Sequence, residues 1–139
     1  MQDMTVDDFM TGLLAQLALT HIRVVAIDGD RFDSAVEVTF RRLSEMAPKF
    51  DLNVRFWVSR HPFHGDSPVV REALSGAVQR DLVSLDNPEY QHMRLKISDD
   101  EAHQLLKGLP GGPTLFEPLT EVLTGALQEQ TAAPAMPSA

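Results

Sequence analysis

Two polar clusters, each directly behind a run of apolar residues, hold the side chains of this chain best suited to chemistry. Asp28, Asp30 and Asp33 follow the stretch from Ile22 to Ile27, and His61, His64 and Asp66 follow the stretch from Val54 to Ser59. In an open α/β sheet the loops past the carboxyl ends of neighbouring strands face one crevice, so carboxylates and imidazoles placed there can meet. The aspartates offer hard oxygen ligands for Mg²⁺ or Mn²⁺, and adding the two imidazoles suits Zn²⁺ or Fe²⁺. A metal so held acidifies a bound water and supplies the nucleophile for hydrolysis of a phosphoester or an amide. In that chemistry Asp28, Asp30, His61 and His64 are the catalytic candidates. Arg31, Arg60 and Arg71 can grip an anionic group, and the amides that open a helix at Ser67 attract phosphate.

Each cluster also has a plainer role. Asp28-Gly29 is an ordinary turn after a strand, and Asp30 or Asp33 is placed to cap the helix that follows. The two histidines are bracketed by Pro62 and Gly65, which mark a loop whatever its role. Asp28-Gly29-Asp30 behind a strand resembles the opening of haloacid-dehalogenase phosphatases, but that family continues with Gly and Thr where this chain has Arg31 and Phe32. The segment is also similar to the first strand of PIN-like nucleases, yet no later strand ends in the further acids that family needs. A calcium loop fails at Phe32 and Thr39, which stand where ligands belong. The glycines form no phosphate-cradling loop, and no Gly-x-Ser-x-Gly elbow is present.

The elements that must position these residues are legible in the apolar pattern. Thr5 caps a helix with Asp7 and Asp8 in its first turn, and Phe9, Met10, Leu13, Leu14, Leu17 and Ala18 give it an apolar stripe ending near Thr20. Residues 22–27 are apolar on both faces except Arg23, which predicts a central strand covered on both sides. Phe32, Val36, Phe40, Leu43 and Ala47 mark the next helix, stopped by Pro48. Val54, Phe56 and Val58 then alternate with Arg55 and Trp57 as a second strand. Ser67-Pro68 opens a third helix. Residues 82–85 and 93–97 form a hairpin around Asp86-Asn87-Pro88-Glu89, Ser98 caps a fourth helix, and Thr114 with Glu117 opens a fifth that runs to about Gln130. The predicted class is α/β: a small mixed sheet of about four strands, with a parallel β-α-β core and an edge hairpin, covered by five helices.

Composition narrows the function. The 139 residues suit one domain over residues 1–130, with 131–139 as a disordered tail of uncharged residues rich in Ala and Pro. The absence of cysteine rules out disulfides, thiolate metal sites and cysteine nucleophiles, and points to a cytoplasmic setting. The net charge of −8 comes from the flanks, because the stretch from Ile22 to Ile97 carries eleven acids and eleven bases. That charge disfavours nucleic acid, and no apolar run approaches a membrane span.

Trp57 projects from the more polar face of its strand and Phe63 from a loop, beside arginines, which are the residue types that anchor protein interfaces. Cover by the first or last helix is the alternative for Trp57. With no complete catalytic motif, the expectation is a small non-catalytic interaction or regulatory module in a homo- or hetero-oligomeric assembly, with a protein partner or itself and no cofactor. The metal-dependent hydrolase and an anion-sensing domain built on Arg31, Arg60, Ser67 and Arg71 are the alternatives.

Overall fold

A computed structural model describes residues 2–27, 31–58, 67–85 and 92–132, the last four of these as backbone only. In chain order the elements are β1 (Gln2–Met4), α1 (Val6–Leu19), β2 (Val24–Ala26), α2 (Arg31–Met46), a 3₁₀ turn (Ala47–Phe50), β3 (Leu52–Val54), α3 (Pro68–Gln79), β4 (Val83–Ser84), β5 (His92–Leu95), α4 (Asp99–Gly108) and α5 (Gly112–Ala132). The mixed α/β class and the five helices stand as expected.

The helix starts follow local chemistry. The Thr5 hydroxyl accepts from the Asp8 amide and the Asp8 carboxylate accepts from the Thr5 amide, each at 3.1 Å, so two otherwise orphaned donors are satisfied reciprocally. Replacing Thr5 by alanine should lower stability by about 1 kcal/mol, read as a shift of the urea midpoint at constant slope. Ser67 caps α3 through the Val70 amide, and Ser98 caps α4 through the Glu101 amide. At α5 the helix begins at Gly112, two residues before the expected Thr114. Pro118 therefore lies inside it rather than in the first turn.

Sheet topology departs from expectation. β2 and β3 do not pair: β1 pairs with β3 in parallel, and a separate three-stranded sheet has the order β2-β5-β4, antiparallel throughout. The parallel β-α-β core of residues 22–59 is thus corrected to two small sheets. β1 takes the position beside β3, from Gln2 opposite Leu52 to Met4 opposite Val54. β4 and β5 pair antiparallel as expected, but β5 is the central strand, alongside β2, and the turn predicted at Asp86-Asn87-Pro88-Glu89 lies outside the described residues. β2 consequently lies at an edge of its sheet, with Val25 buried and Val24 half-exposed, rather than at the centre covered on both faces.

The core is built around α1. Phe9, Met10, Leu13, Leu14, Ala15, Leu17 and Ala18 are all buried, so the helix is enclosed on nearly every side, with α3, α4 and α5 packed against it. Its amphipathic stripe is wider than the spacing suggested because Thr11 and Gly12 are buried as well. α2 packs on α5 and closes the other side. α5 extends through Ala132, two residues into the expected tail, and residues 133–139 lie outside the described residues.

Candidate functional site

The described part of the two polar clusters meets at the start of α3. Asp33, in the first turn of α2, is fully buried, and its Oδ2 accepts the Ser67 backbone amide at 2.5 Å and the Arg71 Nε at 3.3 Å. Its Oδ1 lies 2.9 Å from Arg71 Nη2, within ion-pair distance but not aligned as a hydrogen bond. Arg71 Nη2 also donates to the Ile27 carbonyl at 3.3 Å. One guanidinium therefore ties the end of β2, the first turn of α2 and the first turn of α3 together.

This arrangement brings three predicted site residues into contact with one another. Asp33, a candidate metal ligand or cap for its own helix, turns its carboxylate to the N-terminus of the next one. Ser67 and Arg71 were candidates for binding an outside anion. The anion at that helix start is Asp33 itself, a favourable position because the free amides and the helix dipole attract negative charge. Asp28, Asp30, Arg60, His61, Phe63, His64 and Asp66 lie outside the described residues. Among the described residues, no group of three or more His, Asp or Glu side chains could hold a metal ion. Arg31, the first residue of α2, lines a pocket of about 180 Å³ with Leu17, Ile22, Val24, Thr124 and Leu127.

Trp57 stands apart. Its side of the chain follows the predicted alternation: Val58 is buried, Phe56 is half-buried and Arg55 and Trp57 are not covered. Neither the first nor the last helix covers the indole, which is 71% exposed. It is nonetheless fixed from behind. Phe40 meets it edge-on, with ring centres 5.4 Å apart at 73°, and Phe40 in turn packs on Phe56 and Phe9 at 5.3 and 6.4 Å. Phe9 and Phe56 close the cluster at 5.3 Å. The aromatic platform draws on α1, α2 and the chain after β3, so its rings come from well-separated parts of the sequence.

The indole forms a wall shared by two concavities. On one side lies a groove of about 520 Å³ between the first turn of α1 and the outer face of α3, including Val6, Phe56, Val69 and Ala73. On the other is a smaller hollow of about 270 Å³ along α2, with Glu37, Phe40, Arg41 and Ser44. The alternation around Trp57 marks the indole in the sequence, whereas the groove has no linear signature because its lining comes from residues near positions 6, 56 and 73. Among the described residues no helix is long and apolar enough to cross a membrane. Comparison of the chain with protein-family models, with curated proteins and with solved structures finds no match.

Proposed function

We propose that this chain is a non-catalytic protein-interaction module whose binding face is centred on Trp57. The observation that carries this reading is an indole 71% exposed yet held edge-on by a packed phenylalanine cluster. A tryptophan buries roughly 150–250 Å² when covered, so leaving it in water forgoes several kcal/mol that a partner recovers on docking. Because the ring is already oriented, little side-chain entropy is lost on binding, which is the advantage of a preorganised anchor. Aromatic anchors beside concave surfaces are where interface energy concentrates.

The test uses Trp57 as its own reporter, since it is the only tryptophan. Self-association across this face shifts its emission to shorter wavelength as protein concentration rises, and binding of peptides selected from a displayed random library does the same on titration. Trp57→Ala should weaken whichever association is found by about 30-fold while leaving the urea-unfolding free energy within about 1 kcal/mol. A protein that stays monomeric in sedimentation and selects no peptide dependent on Trp57 overturns the reading.

A further inference from the structure

Resting on the Trp57 reading, we infer that the larger groove receives a segment of a partner polypeptide that combines apolar side chains with lysine or arginine. Its lining is apolar where it is deepest, with Ala73 buried and Val6, Phe56 and Val69 half-buried, and Trp57 stands as the wall. Among the described residues the charged ones along it are Asp7 and Glu72, both exposed. Asp7 reaches inward: its Oδ1 is 3.6 Å from where a Cβ on Gly76 would stand, so the carboxylate lies over the bare backbone of α3. Among the described residues no lysine or arginine lines the groove, and neither carboxylate forms a hydrogen bond or ion pair. Two carboxylates beside an apolar trough with an aromatic wall complement a cationic and apolar ligand. A second copy of this chain fits poorly, because it brings a net charge of −8 to an already acidic rim. Nucleic acid and anionic lipid surfaces are repelled for the same reason. A basic, apolar stretch of another protein satisfies both the trough and the rim.

The experiment pans a displayed library of random linear peptides against the full chain, then measures selected peptides on the parent, on Trp57→Ala and on the double variant Asp7→Asn with Glu72→Gln. Anisotropy of labelled peptide reads the affinity. The inference expects selected peptides rich in lysine or arginine beside apolar residues, with affinity falling as salt rises. It expects about 30-fold weakening in Trp57→Ala and about fivefold in the double variant, whose melting temperature checks that the fold is kept. Peptides that need Trp57 but carry no basic excess, or that ignore the double variant, overturn this inference and leave the Trp57 face standing. A concentration-dependent dimer lost in Trp57→Ala, with no peptide selected, makes the occupant a second copy and overturns it too. Indifference of every association to Trp57 removes both readings together.

Discussion

Replacing Gly12 by alanine is expected to destabilise this protein by about 2 kcal/mol and to lower Tm by roughly 8 °C, although alanine is the better helix former by about 1 kcal/mol. Gly12 lies in the middle of α1, where a glycine by itself weakens the helix. The compensation is the crossing with α5. A Cβ at position 12 would fall 2.3 Å from Cε1 and Cζ of Phe116, far inside van der Waals contact. Phe116 is itself fully buried, so its ring has no solvent to swing into and must displace other core side chains to make room. The steric penalty therefore exceeds the gain in helix propensity. A double-mutant cycle isolates the contact. Phe116→Leu alone should lose about 1 kcal/mol, and in the Gly12→Ala background it should restore part of the loss because the smaller side chain vacates the space. An alanine variant as stable as the parent would mean that α1 and α5 do not approach this closely.

Asp33→Ala should be the larger loss, about 3 kcal/mol in urea unfolding. The carboxylate is fully buried and holds the Ser67 amide and the Arg71 guanidinium. Removing it strands a buried amide and leaves Arg71, about a third exposed, without its counter-charge beside the Ile27 carbonyl. The partial exposure of Arg71 limits the penalty, since water can solvate part of the released guanidinium. Asp33→Asn should fall between parent and alanine, because its amide oxygen can still accept from Ser67 while the charge attraction is gone. Removing both partners in Asp33→Ala with Arg71→Ala should cost less than the sum of the single losses, as expected when one variant no longer leaves an unpaired charge behind. Strict additivity, or a single alanine variant within about 0.5 kcal/mol of the parent, would show that the pair does not hold β2, α2 and α3 together.

The same contact separates what linear order carries of this site from what it does not. The residue types of Asp33, Ser67 and Arg71 are legible: a carboxylate near a helix start and an arginine able to pair with an anion. What the linear order could not supply was that the anion and its binding site belong to the same chain, 34 and 38 positions apart. Trp57 is the converse case. Its placement on the outward face of an alternating stretch was legible from Val54, Phe56 and Val58, but whether a helix covered that face depended on packing among distant elements.

Helix starts at Thr5, Ser67 and Ser98 and the apolar periods of α1 to α4 were set by the sequence itself, because capping bonds and side-chain spacing involve neighbours within one or two turns. Strand partnership was settled only in three dimensions. Gln2-Asp3-Met4 carries no strand pattern of its own, yet it pairs with β3, and β2 joins β5 rather than β3. Short strands of two to four residues form few hydrogen bonds each, so their partners are chosen by which faces the buried α1 and its neighbouring helices leave available.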